Sequence, residues 1–183
     1  MLQGERIVLR PVRRSDITPA LNWLNDPEVT QYLNMWLPLT EMREEKVIED
    51  LGTTRAQNNV VLIIEVNDDG EPKPIGSVEL EDINYGDRVA MFGITVGEKD
   101  YWNQGYGTEA ARLIIRYGFE QLNLHRINSY AYSFNERSLR LHRKVGFVEE
   151  GRQREAVFKN GVYYDHVLFG ILKNEWLALR NAA

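Results

Sequence analysis

The sequence contains no cysteine among its 183 residues. This absence excludes a disulfide framework, a zinc–thiolate centre and a cysteine nucleophile. The chain also lacks any run that approaches about 20 consecutive apolar residues, so we expect no membrane partner. The opening segment MLQGERIVLRPVRR has no apolar core of the length that a secretory signal needs. We therefore expect a soluble, cytoplasmic protein.

Basic residues are fewer than acidic ones, and the formal net charge is -5. This balance argues against nucleic acid as a partner and is compatible with a cationic ligand, although solubility alone also explains it. We expect no metal site. The length suits one well-buried domain, which we expect to span residues 1–183.

Apolar periodicity predicts a mixed α/β fold with about seven strands. The strand-like runs lie at 7–11, 60–66, 75–80, 90–97, 125–132, 147–158 and 162–172. Helices are predicted from Ser15 or Asp16 to about Asn25, from Thr40 to about Gln57, over Thr108–Leu122, and over 135–147 with an end at Gly146. NDDGEPKP at 67–74 is typical of a turn cluster, KNG at 159–161 of a hairpin turn, and NEWLALR of a closing helical turn.

The segment YWNQGYGTEA at 101–110 places Gly105 and Gly107 between a polar loop and a helix. Glycines there let backbone N–H groups approach a ligand, and a helix N-terminus favours anions such as phosphate. A plain flexible turn is the alternative. A dinucleotide site does not fit, because a polar loop rather than a strand precedes Gly105 and no acidic residue follows at the required distance. A nucleotide P-loop does not fit either, because no GK[ST] follows.

The 135–147 helix is the second candidate element for phosphate binding. One side of it carries Leu139, Leu141 and Val145, and the other carries a basic face formed by Arg137, Arg140, Arg143 and Lys144. Such a face suits a second phosphate. An ordinary solvated helix face remains the alternative.

The order strand, loop, QGYGTEA, helix, strand and NERSLRLHRKVGF resembles the GNAT acetyltransferase superfamily. IVLRP at 7–11, NDPEVTQYL at 25–33, IGSVEL at 75–80 and the tail at 149–172 are similar to its ribosomal-protein N-acetyltransferase branch. The resemblance implies a mixed, mostly antiparallel sheet of about seven strands that splays at the cofactor site and is flanked by helices. It also implies transfer of an acetyl group from acetyl-CoA to an amine by direct attack on the thioester.

By the same resemblance, the glycine turn holds the pyrophosphate of acetyl-CoA and the preceding strand supplies backbone N–H donors to the oxyanion. Asn135 would contact the pantetheine arm, and Arg143 or Lys144 would meet the ribose phosphate. The cofactor-binding residues that the resemblance implies are Ile94, Thr95, Val96, Gln104, Gly105, Tyr106, Gly107, Thr108, Asn135, Ser138, Arg143 and Lys144.

Three residues are candidates for acid–base catalysis. His142 stands where many relatives carry a tyrosine that protonates the departing thiolate, and an imidazole is suited to that task. A satisfied core histidine is the alternative. Glu79 and Glu81 occupy alternate strand positions and share one face of the sheet, so either is a candidate base acting through water. Exposed carboxylates on a solvated face are the alternative there.

The acceptor stays open at this point: a ribosomal protein's N-terminal amine, a polyamine, an aminoglycoside or another small amine. A non-catalytic acyl-CoA-binding sensor of the same fold is the main alternative to an enzyme, because the tyrosine is missing. The final β-hairpin is a candidate homodimer contact.

Overall fold

The computed structural model describes residues 1–36, 38–52, 57–68 and 70–182. Its strands are β1 (Leu2–Gln3), β2 (Ile7–Pro11), β3 (Val60–Asp68), β4 (Glu71–Asn84), β5 (Val89–Val96), β6 (Arg126–Tyr132), β7 (Val148–Lys159) and β8 (Val162–Leu172). Its helices are α1 (Ile17–Leu24), α2 (Pro27–Thr30), α3 (Glu41–Gly52), α4 (Tyr106–Glu120), α5 (Glu136–Val145) and α6 (Lys173–Ala182). The described part of α3 ends at Gly52, and residues 53–56, between it and the end predicted near Gln57, lie outside the described residues.

The strands form one sheet of eight in the order β1-β2-β3-β4-β5-β6-β8-β7. All neighbours are antiparallel except β5 and β6. The predicted α/β class and mostly antiparallel sheet are confirmed, with the two-residue β1 added to the seven strands expected.

The turn cluster predicted at 67–74 is wrong in its extent. β3 and β4 pair as far as Asp68 opposite Glu71, so strand structure occupies most of the segment. Pro74 is accommodated opposite Glu65, next to a register shift in the ladder, which is where a strand tolerates a proline. Turn-forming residue types therefore overstated the length of the turn.

The hairpin turn predicted at 159–161 is confirmed. Lys159 pairs with Val162, and Asn160 and Gly161 between them have φ values of 52° and 84°. Two central residues with positive φ define the tight turn that matches the right-handed twist of a β-hairpin. The turn brings β7 and β8 together as a long hairpin at the edge of the sheet.

The sheet splits between β5 and β6. These parallel strands pair at only three positions, the last being Met91 opposite Asn128. Beyond it β5 continues to Val96 beside β4, whereas β6 continues to Tyr132 beside β8. The strands diverge, and the predicted splay of the sheet is confirmed.

Helix α4 covers the sheet next to this split. Its apolar positions Ala110, Ala111, Ile114, Ile115 and Phe119 are at most 1% exposed and join the main core cluster. Leu80 of β4 and Ile127 of β6 approach Gly118 so closely that a Cβ there would lie 3.1 Å and 3.2 Å from them. Helix α4 therefore packs across both halves of the sheet. It begins at Tyr106, two residues before the predicted start at Thr108. Among the described residues, no helix is long and apolar enough to cross a membrane.

Candidate active site

A cleft of about 890 Å³ occupies the split between β5 and β6. Side chains alternate along a strand, so the two faces of β5 serve opposite sides of this cleft. We call the side under α4 and α5 the helix side; it includes Ile94, Val96, Gly105, Gly107 and Leu141. We call the opposite side the carboxylate side; it includes Glu79, Glu81, Asp82, Tyr32, Tyr130 and Tyr132.

The glycine turn lies at the start of α4 on the helix side. Gly105 is the N-cap residue with φ 90°, a left-handed conformation that disfavours other residues. Gly107 lies within the first helical turn, where a Cβ would be 3.3 Å from Leu141 Cδ1 and 3.4 Å from Val96 Cγ2. The N-terminal N–H groups of a long helix therefore open onto the cleft, and the missing side chain of Gly107 lets α4 lie close to β5 and α5. This arrangement suits an anionic group.

Trp102 ties the loop before the glycine turn to the end of β5. Its indole Nε1 donates a hydrogen bond of 2.6 Å to the carbonyl of Val96. The guanidinium of Arg137 lies 3.9 Å from the centre of the Trp102 ring and 5.1 Å from that of Tyr32. Arg137 of α5 thus joins the glycine-turn loop to the segment after α2, across the cleft.

Glu109 and Arg6 hold the outer side of the glycine turn. The Glu109 carboxylate accepts hydrogen bonds from the backbone N–H of Glu5 (2.7 Å) and of Arg6 (2.9 Å). Arg6 Nη1 donates in turn to the carbonyl of Gln104 at 3.0 Å. Burial alone would raise the pKa of Glu109, but these N–H donors and the Arg6 guanidinium outweigh it and hold that pKa below its usual range. The turn is therefore anchored by a carboxylate that stays charged at neutral pH.

Some of the capping and basic residues of helix α5 line the cleft, and others do not. Asn135 uses its side-chain oxygen to cap the helix, accepting from Ser138 N at 3.1 Å. Arg140 and Lys144 line the cleft, whereas Arg143 pairs with Glu149 on β7 at 3.3 Å. Only part of the predicted basic face is therefore available to a ligand in the cleft.

His142 lies at the base of the cleft, 2% exposed. Its Nδ1 is 2.7 Å from the carbonyl of Ser138, and its Nε2 is 2.8 Å from Ser129 Oγ. The ring stacks on Phe169 with centroids 4.7 Å apart. Burial lowers the pKa of His142, and the hydrogen bond to the Ser138 carbonyl partly opposes this. Both ring nitrogens therefore have partners within the protein.

Glu79 lies across β5 on the carboxylate side. It pairs in register with Gly93, and a Cβ on Gly93 would collide with the Glu79 carboxylate, so the missing side chain is what lets Glu79 lie there. Burial raises the pKa of Glu79 to about 7, and the neighbouring charge of Glu81 adds to the effect. This carboxyl group exchanges a proton near neutral pH, as a general base must.

Most of the residues proposed from the sequence meet at this cleft. The residues that line it are Glu79, Glu81, Ile94, Thr95, Val96, Gly105, Gly107, Thr108, Asn135, Ser138, His142 and Lys144. Gln104, Tyr106 and Arg143 do not line it. Gln104 accepts from Arg6 through its backbone, and the Tyr106 ring lies between Tyr101 and the Arg6 guanidinium.

Sequence reasoning missed several polar and aromatic residues of the cleft. Tyr130 and Tyr132 lie at alternate positions of β6, and the Tyr132 ring stacks on His166 with centroids 5.3 Å apart. Their spacing showed that they share a face, but only the strand order shows that this face borders the cleft. Ser129, which precedes Tyr130 on the strand, faces the opposite way and reaches His142.

Lys159 connects the final hairpin to the carboxylate side. Although it is only 7% exposed, its Nζ donates to the carbonyls of Thr30 (3.3 Å) and Met35 (3.0 Å) and lies 4.3 Å from the centre of the Trp36 ring. The hairpin turn thereby holds the segment that follows α2 against the cleft. Across the described part of the chain, no group of three or more histidine, aspartate or glutamate side chains is arranged to hold a metal ion.

Comparison with known proteins agrees with this geometry. The chain is 31% identical over 180 residues to the spermidine N(1)-acetyltransferase of Escherichia coli, covering 97% of this chain and 92% of that protein. It is 35% identical over 101 residues, 55% of each chain, to YdaF of Bacillus subtilis, whose name places it among candidate ribosomal N-acetyltransferases.

A solved structure shows the same architecture. The spermidine N-acetyltransferase of Vibrio cholerae, crystallised with CoA and spermine, superposes with a TM-score of 0.86 at 27% identity and covers 95% of this chain and 99% of that one. Residues 6–148 match the family model described as the acetyltransferase (GNAT) domain. The predicted resemblance is confirmed, and the chain belongs to the GNAT family of acetyltransferases.

Proposed function

We propose that this acetyltransferase moves the acetyl group of acetyl-CoA to a primary amine of a small polycationic acceptor of the polyamine type. The observation that carries the proposal is the carboxylate side of the cleft. Glu79, Glu81 and Asp82 lie there together with the rings of Tyr32, Tyr130 and Tyr132. Carboxylates attract an ammonium group, and tyrosine rings stabilise cations through their faces. Similarity to two spermidine acetyltransferases supports the same choice.

The helix side fits the acetyl donor. Gly105 and Gly107 line the cleft at the N-terminus of α4, whose N–H groups suit a pyrophosphate. Arg140 and Lys144 supply positive charge on the same side. When bound, acetyl-CoA supplies the activated thioester, and the residues of the chain position it and move protons.

Glu79 is the proposed general base. An alkylamine with a pKa near 10.4 is almost entirely protonated at pH 7 and cannot attack a carbonyl carbon until a proton leaves. The pKa of about 7 lets Glu79 take that proton, directly or through water, within the physiological range. Glu81 contributes by raising the proton affinity of Glu79.

Ile94 is the proposed oxyanion donor. The carbonyls of Phe92 and Val96 point away from β4, to Ser129 and Trp102 respectively. Because backbone groups alternate in direction along a strand, Ile94 between them presents its N–H to the same side, where β6 has diverged. A fixed N–H donor there would stabilise the negative oxygen of the tetrahedral intermediate. His142 is the proposed proton source for the leaving sulfur.

Thiol release with a panel of amines tests the proposal. Spermidine and spermine should give a higher kcat/KM than a monoamine. Added salt should raise the KM for both polyamines, because it screens the attraction between carboxylates and ammonium groups. A peptide with an N-terminal alanine or serine and an aminoglycoside complete the panel. Preference for the peptide would favour the ribosomal-protein alternative, which the similarity to YdaF supports.

Absence of thiol release with every amine, together with tight acetyl-CoA binding, would favour the non-catalytic sensor. The near-neutral proton affinity of Glu79 argues against that alternative, because a sensor has no need of a base.

The proposed homodimer would use the final hairpin. Phe158 and Tyr163 are 44% and 61% exposed, and their ring centroids are 4.9 Å apart. Sedimentation of the wild-type protein and of a Tyr163→Glu variant tests this proposal; equal monomer masses for both would contradict it.

A further inference from the structure

The hydroxyl of Ser129 stands where the β5–β6 ladder ends. Met91 and Asn128 form the last backbone pair of the two strands, so Phe92 and Ser129 are the next residues along each. At this position a side chain replaces the backbone ladder, because Ser129 Oγ lies 3.0 Å from the carbonyl of Phe92. Ser129 is 4% exposed and borders the cleft. It therefore joins β5 to β6 at the innermost point of the cleft.

The same hydroxyl contacts the imidazole of His142, and the three contacts form a chain. From one end to the other they are Ser138 O to Nδ1 (2.7 Å), Nε2 to Ser129 Oγ (2.8 Å) and Oγ to Phe92 O (3.0 Å). A carbonyl oxygen only accepts, and the Ser138 carbonyl at 2.7 Å lies much closer to Nδ1 than the Ser138 hydroxyl at 3.4 Å, so the favoured arrangement carries a proton on Nδ1.

Counting protons shows which state of His142 satisfies this chain. Each of the three contacts needs one proton, whereas neutral imidazole and the serine hydroxyl together supply two. Imidazolium supplies the third: Nε2–H then donates to Oγ, and Oγ–H donates to Phe92 O. An unsatisfied buried polar contact is unfavourable, so the chain raises the proton affinity that burial lowers.

Within the described part of the chain, no charged group competes with Ser129 for His142. The elements packed against the ring present Phe92 from β5, Phe147 after α5 and Phe169 from β8. On its own helix, Arg143 pairs with Glu149, and the exposed Lys144 follows it in the chain. The pKa of His142 responds to burial and to the Ser138 carbonyl, with no charged residue among its causes.

We propose that Ser129 is the positioning residue through which His142 exchanges its proton with the cleft. The Ser138 carbonyl keeps the proton on Nδ1 when the imidazole is neutral, and Ser129 makes Nε2 the atom that gains and loses the proton.

The catalytic role of this contact rests on the proposed function. During the reaction, Ser129 Oγ–H gives its proton to the leaving sulfur. The Nε2–H of the imidazolium refills Oγ in the same movement. His142 returns to the neutral Nδ1–H form and is protonated again from solvent through Ser129 Oγ, while Glu79 releases to solvent the proton that it took from the amine. Each proton that leaves an oxygen or nitrogen is thereby accounted for.

Nitrogen-detected NMR of the ligand-free protein tests the positioning role. The chain has three histidines, so His125→Gln and His166→Gln variants suffice to assign the His142 signals. In the wild type, neutral His142 should carry its proton on Nδ1. Ser129→Ala should lower the proton affinity of His142 about tenfold, because it removes one hydrogen bond to the charged form. Ser129→Thr keeps the hydroxyl and should retain most of that affinity.

Two results would overturn the inference: a neutral His142 protonated on Nε2 in the wild type, or identical His142 titration in the wild type and Ser129→Ala. If Ser129→Ala does not fold, the wild-type tautomer and the Ser129→Thr titration decide. These measurements need no turnover, so a negative result would count against the role of Ser129 and not against the proposed function. The proposed function is tested by thiol release. In the active enzyme, Ser129→Ala should shift the pH profile of kcat and leave the KM for acetyl-CoA within about twofold.

Discussion

Lys159, near the end of β7, donates a hydrogen bond of 3.0 Å to the carbonyl of Met35. The two residues lie 124 positions apart in the chain, and this bond holds the C-terminal hairpin against the segment after α2. The segment that contributes Tyr32 to the carboxylate side of the cleft is therefore held in place by the C-terminal hairpin.

Replacing Lys159 should loosen this side of the cleft without disturbing the helix side. Lys159→Met keeps the aliphatic stem and removes both donations, and we expect a loss of about 1–3 kcal/mol in the free energy of unfolding. The KM for the amine should rise several-fold, because the segment that carries Tyr32 loses its attachment to the hairpin, while the dissociation constant of acetyl-CoA stays unchanged. Lys173→Met is the matched control, since its single bond to Asn123 lies on the exposed surface. Equal KM values for the two variants would contradict the role of Lys159.

Alanine at Gly105 should weaken acetyl-CoA binding. The φ of 90° imposes a strain of about 1–2 kcal/mol on any residue with a Cβ, and relaxation of that strain would displace the turn. We expect at least a tenfold rise in the dissociation constant, measured by calorimetry.

Gly161→Ala provides the control for Gly105→Ala. Gly161 has φ 84° in the hairpin turn, and no atom lies within 4 Å of a Cβ there. It should show a similar loss of stability with unchanged acetyl-CoA affinity. Equal affinities for both variants would contradict the role of the glycine turn.

Glutamine at Glu79 should remove the general base. We expect a fall of about 10²–10⁴-fold in kcat, and the acid limb of the wild-type kcat/KM profile should have its midpoint near pH 7. Glu81→Gln should remain active and move that limb to lower pH, because it removes the repulsion that raises the pKa of Glu79. An acid limb at the same pH in both enzymes would exclude Glu79 as its source.

The same carboxyl group should make stability depend on pH. Its pKa in the folded protein lies above the unfolded value, so its stabilising contribution is complete below pH of about 4.3 and is lost as pH rises through about 7. Glu79→Gln should therefore be more stable than the wild type above pH 7. Thermal unfolding at pH 5 and at pH 8 measures the difference, and an effect of the opposite sign would contradict the burial of a charged Glu79.

Phenylalanine at Trp102 separates the hydrogen bond from the ring contact. The variant keeps an aromatic face for Arg137 and loses the bond to the Val96 carbonyl. We expect the KM for acetyl-CoA to rise about three- to tenfold, because the loop before the glycine turn loses its attachment to β5. Trp176→Phe is matched, since Arg180 lies 5.0 Å from the centre of the Trp176 ring, far from the cleft. It should leave that KM unchanged.

Phenylalanine at His142 should lower kcat at least tenfold if the imidazole supplies a proton to the leaving sulfur. His166→Phe is a control for the loss of a half-buried histidine that stacks on Tyr130 and Tyr132 but does not itself line the cleft. Full turnover of His142→Phe at every pH would show that the sulfur takes its proton elsewhere.

The sequence predicted the long elements well, because their periodicity records burial on one side. The α4 pattern and the strands at 60–66 and 162–172 are examples, since each places its apolar residues against the core. The splay came from the family resemblance alone: no periodic pattern indicates that β5 and β6 stop pairing after Met91.

Residues that act through distant partners could not be predicted in the same way. Glu79 and Gly93 face each other only because β4 and β5 share a register, and Ser129 reaches His142 only because α5 packs over β6. Lys159 was read as a turn residue, since its carbonyl partners at Thr30 and Met35 offer no side-chain signal. Pairings of this kind depend on sheet order and helix packing rather than on local pattern.

The short junction between β5 and β6 also bears on how the protein folds. Residues 2–96 build their strands as consecutive antiparallel neighbours, and three parallel pairs join them to the strands at 126–172. The junction can close only when the connection through α4 is in place. Closing this long loop costs conformational entropy of the chain, and only the three β5–β6 pairs compensate for it directly. We therefore expect this junction to form last during folding and to exchange its amide hydrogens first in the native state. A chain that has folded almost completely would still be inactive, because the last contacts to form are those that shape the cleft.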